Sequence, residues 1–285
     1  MRVRLHTNTI ACAVFHQPKI MKTYFVDSFT NQKFKGNPAA VCILESDLES
    51  SIMQNIATEI GFSETAFIKQ IYDTTYSIKF FTPKQEISLC GHATLAAAKI
   101  IFETSALEDI NFINCENIEL KIEKAGSKIV MQFPVYETTE ISVPESVFTA
   151  LGINNALDTR FSPKNNIILI EIRDSKKLAE LKPDFLALIN SYSGINGILV
   201  TAKSNNTDFD FEYRYFWPWA GTNEDPVTGG VQTFLTKYWA KKIGKNKFKA
   251  FQSSARTGMM TTELIDQKVF IYGEAVITFE GRFKT

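Results

Sequence analysis

The sequence has few cysteines, and none stands in a spacing typical of a metal site or a redox pair. Four occur in 285 residues without any C-x-x-C motif, namely Cys12, Cys42, Cys90 and Cys115. The spacing therefore predicts no bound metal. Thiols used this sparingly are typical of a reducing compartment, so we expect a cytoplasmic protein.

Net charge and long apolar runs are also lacking. The 31 basic and 31 acidic residues give a formal charge of zero, which argues against nucleic acid or an anionic membrane as a partner. No apolar stretch approaches the roughly 20 residues of a membrane span. There is no Ser-His-Asp order, G-x-x-x-x-G-K-[ST] loop, G-x-G-x-x-G turn or His-rich set. Triad hydrolysis, nucleotide binding and zinc chemistry therefore lack support.

The first 20 residues differ from the rest. They contain Arg2, Arg4 and Lys19 but no acid, and Asp27 is the first carboxylate. The apolar run at 10–15 is short for a signal peptide, and no clear small-residue cleavage site follows it. We interpret residues 1–20 as a disordered extension rather than a targeting peptide, with the folded body starting at Met21.

What the sequence does contain is one motif written twice. Residues 78–83 read I-K-F-F-T-P and residues 213–218 read Y-R-Y-F-W-P. Each is followed by a loop with a glutamate and by a glycine turn, L-C-G-H-A-T at 89–94 and V-T-G-G-V-Q at 227–232. Apolar residues then recur at the i, i+3, i+4, i+7, i+8 spacing of a helix with one buried stripe. The duplication predicts two similar lobes that face each other across a cleft.

The remaining pattern predicts an α+β fold of mixed and antiparallel strands with one long helix per lobe. We expect the lobes to span 21–137 and 138–285, with the last strands able to pair back onto the N-terminal lobe. Helices are predicted at 52–60, 91–102, 144–151, 183–189 and 230–242. Strands are predicted at 23–29, 39–44, 65–71, 76–81, 118–123, 129–133, 167–172, 197–202, 210–216, 269–272 and 275–279.

The starts of the two repeat helices are candidate binding sites. A helix N-terminus offers free N–H groups and partial positive charge, and the glycines there, Gly91 and Gly229-Gly230, allow a ligand to approach closely. If both starts point into one cleft, they can hold a substrate carboxylate and stabilise an enolate-like transition state. We therefore predict anion binding at these turns. His92 lies at the first start, where we expect its neutral form.

One carboxylate has no acidic counterpart in the other lobe. Glu64 precedes a predicted strand in G-F-S-E-T-A-F, whereas Asn196 takes the matching position in the second half. This asymmetry favours a single working base over a symmetric pair, although an exposed loop glutamate is the ordinary alternative. Cys90 and Thr228 occupy equivalent positions at the two turns. A buried cysteine is usually only a small hydrophobe.

Five ordered motifs resemble the PhzF family of phenazine-biosynthesis-like isomerases over about residues 22–281. They are G-N-P-A-A-V (36–41), G-F-S-E-T-A-F (61–67), C-G-H-A-T (90–94), R-x-F-x-P (214–218) and E-D-P-V-T-G (224–229), and a later Q-x-x-x-R runs from Gln252 to Arg256. The resemblance implies a diaminopimelate-epimerase-like fold, in which each lobe is a curved sheet wrapped around a central helix. It also implies a cofactor-free, commonly dimeric protein.

By motif position, the resemblance gives Glu64 the role of general acid/base. It implies that the substrate contacts come from both lobes: Asn37, Ser63, Gly91, His92, Asp225, Thr228, Gly229 and Gly230. The sequence departs from the family pattern at Gly230, where Ser or Ala is frequent, at Val231, where a small residue is usual, and at Ser253, where Gly is common. The missing hydroxyl at Gly230 argues against the phenazine precursor itself as the substrate.

These observations predict a metal-free isomerase that moves a proton on a small carboxylate-bearing substrate, such as a cyclic, unsaturated acid. The expected assembly is a homodimer. Glu64 would work best with its pKa raised towards neutrality by burial. One alternative is a racemase, epimerase or dehydratase of the same fold that uses Cys90 with Thr228. A second alternative is a non-catalytic scaffold that binds a partner protein, which retention of Glu64, His92 and Asp225 disfavours.

Overall fold

The structure is a computed structural model that describes residues 20–220 and 222–284. The predicted extension lies outside these residues, apart from Ile20, which begins the first strand. The described helices are α1 (Ser50–Ile60), α2 (Gly91–Thr104), α3 (Glu145–Leu151), α4 (Ser175–Glu180), α5 (Phe185–Ser191) and α6 (Gln232–Ile243), with a 3₁₀ turn at Pro218–Ala220. None of the described helices is long and apolar enough to cross a membrane.

Strands make up most of the remaining described chain. The first half contains β1 (Ile20–Ser28), β2 (Asn37–Ile43), β3 (Thr65–Tyr72), β4 (Thr75–Phe81), β5 (Glu86–Ile87), β6 (Asp109–Ile113), β7 (Glu119–Ala125) and β8 (Lys128–Pro134). The second half contains β9 (Thr139–Glu140), β10 (Asp158–Ser162), β11 (Ile167–Glu171), β12 (Gly197–Lys203), β13 (Phe211–Trp217), β14 (Thr222–Asp225), β15 (Lys247–Gln252), β16 (Gly258–Ile265), β17 (Lys268–Gly273) and β18 (Ala275–Lys284). The α+β prediction is confirmed.

The pairing order of the strands repeats between the two halves. In the first half, β1–β2 is antiparallel, β2–β3 parallel, β3–β4 antiparallel and β4–β6 parallel. In the second half, β10–β11, β11–β12, β12–β13 and β13–β15 follow with the same directions. The duplicated motif is therefore a duplicated topology, as the sequence predicts.

Each lobe buries more of its long helix than the single apolar stripe that the sequence predicts. In α2, residues 92–98 and 100–102 are all buried, and in α6 so are residues 232–236, 238 and 239. Most of each helix is therefore covered by the rest of its lobe. Small side chains make this possible in α2, where Ala93, Ala96, Ala97 and Ala98 let the strands pack close.

Two strand pairings join the lobes. β8 pairs antiparallel with β17, and the C-terminal β18 pairs antiparallel with β1 from the opposite end of the chain. One apolar cluster then runs through both lobes and contains residues of both α2 and α6. A second cluster lies under α3, α4 and α5 in the C-terminal lobe. The starts of α2 and α6 are thus held by one continuous core.

Candidate active site

Glu64 lies beside His92 in the interior of the molecule. Glu64 is the residue before β3 and is 5% exposed, and His92 is the second residue of α2 and is 7% exposed. Glu64 Oε2 is 3.1 Å from His92 Nε2. The contact is an ion pair more than an aligned hydrogen bond, because Oε2 has no hydrogen-bond partner of good geometry among the described residues. A buried carboxylate with a free lone pair is suited to accept a proton from a bound molecule.

Asn37 connects this pair to the other lobe. Its side chain is fully buried at the start of β2, and Nδ2 lies 3.2 Å from His92 Nδ1. The same Nδ2 donates to Asp225 Oδ1 at 2.8 Å and to the Val227 carbonyl at 2.9 Å. Both glycine turns therefore meet in one region, as the two-lobe cleft requires. Asn37 has no exposed surface in the free protein, and its contact with substrate stays a prediction.

Cys90 also lies beside the imidazole and close to Glu64. Its Sγ is 3.4 Å from His92 Nδ1 and 4.0 Å from Nε2. The ligand atoms of Glu64, Cys90 and His92 lie within 4.8 Å of one another, and these residue types can bind metals. However, the carboxylate and the sulfur are nearest to different ring nitrogens. The three side chains form one compact buried cluster.

The second turn is fixed by several side chains of the C-terminal lobe. Thr228 Oγ1 donates to Asp225 Oδ2 in a short contact. Gln252 accepts from Thr228 N at 2.8 Å and donates to the Asp225 carbonyl at 2.6 Å. Tyr213 donates its hydroxyl to the Thr228 carbonyl at 3.1 Å. These bonds account for the glutamine of the Q-x-x-x-R motif, for which the sequence alone predicted no role.

The charge states of Glu64 and His92 differ from those expected. Burial raises the pKa of Glu64, but the charge of His92 and polar contacts with His92 and Ser63 outweigh burial, so its pKa is lowered. Burial by itself lowers the pKa of His92, yet Cys90 and the Glu64 carboxylate raise it well above the ordinary value. The expectations of a neutral histidine and a glutamate with a raised pKa are therefore wrong for the free protein. Local sequence places His92 at a helix start, but Cys90 and Glu64 beside it raise its pKa.

The pKa values of two other groups in the site are raised. Burial raises the pKa of Asp225, against the opposing effects of His92 and of the hydrogen bonds from Thr228 and Asn37. Burial likewise raises the pKa of the Cys90 thiol. The site thus combines one ionised carboxylate with a protonated imidazole, and its remaining acidic groups resist ionisation.

The glycines of the two turns differ in the space around them. A methyl group added at Gly229 would lie 2.9 Å from the Phe29 ring, whereas one added at Gly230 would meet no described atom within 4 Å. Gly230 is exposed, and the motif alignment places it opposite His92. α6 begins at Gln232, two residues after the predicted start, because Gly230 and Val231 form a turn before the helix. The second turn is therefore exposed at Gly230, whereas its counterpart His92 in the first turn is buried.

The position opposite Glu64 has a different environment. Asn196 directly precedes β12, as Glu64 precedes β3, but its side chain is exposed and donates to the Asn165 carbonyl at 2.8 Å. Ser63 next to Glu64 has a buried hydroxyl oxygen that makes no well-aligned hydrogen bond within the described chain. The asymmetry between the two lobes seen in the sequence is thus also an asymmetry of burial.

Sequence reasoning missed a contact between the lobes next to the site. Arg256 donates to Asp27 Oδ1 at 2.8 Å and to the Gly36 carbonyl at 2.9 Å, one residue before Asn37. Gly36 has a positive φ, and a Cβ added there would lie only 2.2 Å from the Ser28 carbonyl oxygen, so no side chain fits. The G-N-P and Q-x-x-x-R motifs are the signals that could have indicated this contact.

The two lobes with a buried glutamate between their helix starts define an epimerase-type fold. A solved hydroxyproline epimerase from Agrobacterium vitis has this fold, with a TM-score of 0.56 at 10% identity over 93% of this chain and 92% of that one. At that identity the likeness concerns the fold alone.

The chain belongs to the PhzC-PhzF family, whose model, described as "Phenazine biosynthesis-like protein", matches residues 26–281. It is similar to an uncharacterized isomerase of Halalkalibacterium halodurans, 43% identical over 89% of this chain and 94% of the relative. The human phenazine biosynthesis-like domain-containing protein is 35% identical over 90% of this chain and 97% of its own. A PhzF-family crystal structure from Enterococcus faecalis has a TM-score of 0.87 at 34% identity, covering 93% of this chain and 99% of the other. The resemblance inferred from the five motifs is confirmed.

Proposed function

We propose that this protein is a cofactor-independent isomerase that moves a proton on a small carboxylate-bearing substrate. The observation that carries the proposal is the buried Glu64 carboxylate, held 3.1 Å from His92 between the two glycine turns. Several relatives of the family carry the name isomerase, which supports this reaction class.

Glu64 would take a proton from a carbon made acidic by conjugation and return it elsewhere on the framework. Its lowered pKa keeps it ionised and ready to accept the proton in the free protein. Entry of a substrate carboxylate near His92 would compete for the imidazolium charge and weaken its hold on Glu64, which would make Glu64 a stronger base. The backbone N–H groups at Gly91 and Gly230 would receive the substrate carboxylate.

The test is isotope exchange. Candidate cyclic and amino carboxylates are incubated with the protein in D2O, and deuterium uptake at carbon is followed by NMR. Removing a general base typically costs about 10²–10⁴-fold in rate, so Glu64→Gln should lose exchange to at least that extent. Ligand-induced thermal shifts should persist in this variant, because the carboxylate contacts remain. Retained exchange in Glu64→Gln would remove Glu64 from the mechanism.

A racemase or dehydratase that uses Cys90 is the second candidate, favoured by the 3.4 Å contact between Cys90 Sγ and His92 Nδ1. The facing Thr228 hydroxyl already donates to Asp225, so it has no free proton for a second transfer. If Glu64 is the base, Cys90→Ser should change turnover less than about tenfold, because the sulfur then only packs. A loss of several orders of magnitude with the fold intact would favour the thiol mechanism.

A further inference from the structure

We propose that Asn37 is a positioning residue that fixes which nitrogen of His92 carries the proton in the neutral imidazole. This inference deepens the proposed isomerase site, but it concerns the free protein. The Asn37 amide has fewer hydrogens to donate than it has acceptors around it. Nδ2 has two hydrogens and three acceptor atoms within reach: Asp225 Oδ1 at 2.8 Å, the Val227 carbonyl at 2.9 Å and His92 Nδ1 at 3.2 Å.

The orientation of the Asn37 amide is set by the C-terminal lobe. If the amide were reversed, Oδ1 would face the carboxyl oxygen of Asp225 and the carbonyl oxygen of Val227, which are both acceptors. The observed orientation avoids this repulsion and leaves Oδ1 buried without a partner among residues 20–220 and 222–284. An unsatisfied buried acceptor is costly, so the contacts of Nδ2 must outweigh that cost. The amide nitrogen is therefore held against the imidazole.

This orientation has a consequence for His92. An amide nitrogen does not accept hydrogen bonds, so a proton on Nδ1 finds no acceptor in Asn37 and is left with Cys90 Sγ at 3.4 Å. A proton on Nε2, by contrast, puts positive charge beside the Glu64 carboxylate, whose Oε2 is 3.1 Å from Nε2. When the imidazole is neutral, Asn37 thus favours the Nε2–H form, with Nδ1 as the acceptor. In that form the protonated nitrogen of His92 is the one next to Glu64.

The experiment reads the imidazole directly and needs no substrate. The sequence contains three histidines, and only His92 lies within the described residues. Protein labelled with ¹⁵N-histidine is titrated by NMR from about pH 6 to 11, and the His92→Gln variant assigns the signals. In the wild type we expect the neutral state to show a protonated Nε2 and an unprotonated Nδ1. Asn37→Ala should give a mixture of both tautomers.

Asn37→Asp is the sharper variant, because it replaces the donor with an acceptor of the same shape. A carboxylate beside Nδ1 should hold a proton there and shift the His92 titration upwards by at least about one pH unit relative to Asn37→Ala. The comparison is made with Glu64, Cys90 and Asp225 intact, since each of these groups also acts on the imidazole.

Asn114 supplies the matched control. It is a buried asparagine of the same lobe whose amide bonds the Ser88 carbonyl and the backbone of the following turn, with no hydrogen bond to His92 in the described chain. Asn114→Ala should lower stability and leave the His92 spectrum unchanged. If both Asn37 variants kept the wild-type tautomer and titration while losing stability like Asn114→Ala, Asn37 would be structural only. That result would leave the Glu64 exchange test unaffected, so the two proposals fail separately.

Discussion

Arg214 joins the second motif copy to the strand that presents Asp225. Its side chain is buried on β13, and Nε and Nη2 each lie 2.7 Å from a carboxylate oxygen of Glu224 on β14. Nη1 also donates to the Leu181 carbonyl at 2.7 Å, just after α4. Because Glu224 directly precedes Asp225, this pair holds the edge of the site. We predict that Arg214→Met destabilises the fold strongly.

The structure bounds the size of the effect. Removing one member of a buried ion pair typically costs roughly 3–5 kcal/mol, because the remaining charge stays uncompensated. The Glu224 side chain is 17% exposed, so partial solvation places the expected loss near the lower end, about 3 kcal/mol. For domains of this size, each kcal/mol lowers Tm by roughly 2–4 °C. The expected decrease in Tm is therefore about 6–12 °C.

The assay is thermal and urea unfolding of three variants beside the wild type. Lys247→Met is the control, since Lys247 and Glu263 form a pair at 2.9 Å that is largely exposed on the lysine side. Such surface pairs contribute about 0–1 kcal/mol. In Arg214→Met/Glu224→Gln the stranded charge is removed, and part of the stability should return. Equal losses for Arg214→Met and Lys247→Met, or no recovery in the double variant, would refute the reasoning.

Two further predictions concern pH and packing. The pKa of His92 is raised on folding from about 6.5 and that of Glu64 is lowered from about 4.5. The contribution of His92 to stability should therefore be full below about pH 6.5 and decline as pH rises through its folded pKa. The contribution of Glu64 should decline as pH falls from about 4.5. Urea unfolding of His92→Gln at several pH values checks this, and a constant difference from wild type between about pH 6 and 10 would contradict it. Gly197→Ala should cost about 1–3 kcal/mol, because its methyl would lie 2.6 Å from the Tyr215 ring. Gly230→Ala, with open space, is the stability control, and equal losses would argue against a packing effect.

The strands that the sequence predicted are those with strong apolar patterns. β11 and β12 are almost wholly buried and were found, whereas β10 pairs between β9 and β11 with mostly half-buried residues and was missed. β15 was also missed, although K-F-K-A-F-Q alternates with a period of two. Both strands pair on two sides, β10 with β9 and β11, and β15 with β13 and β16. This pairing depends on partners elsewhere in the chain, which local pattern cannot supply.

The candidate site also has features that the sequence could predict and features that it could not. Motif order was sufficient to bring Glu64, His92 and Asp225 together, since each follows a local signal such as a helix end, a glycine turn or a short strand. Their charges could not be predicted, because the pKa of His92 depends on a carboxylate from another part of the lobe and on a thiol beside it. The burial of Asn37 could not be predicted either, because a G-N-P turn is normally exposed.

The pairing of β1 with β18 has a consequence for how the protein is made. Ile20 pairs with Lys284 and Ser28 with Ala275, so a partner of the first described strand is made only after residues 29–274 have been synthesised. Until then, one edge of β1 lacks its neighbour, and unpaired edges are prone to intermolecular pairing. The N-terminal lobe therefore completes its sheet only after residues 275–284 have been made, which makes folding slow relative to a chain of local contacts. A nascent chain truncated before residue 275 should depend on chaperones far more than the full-length protein.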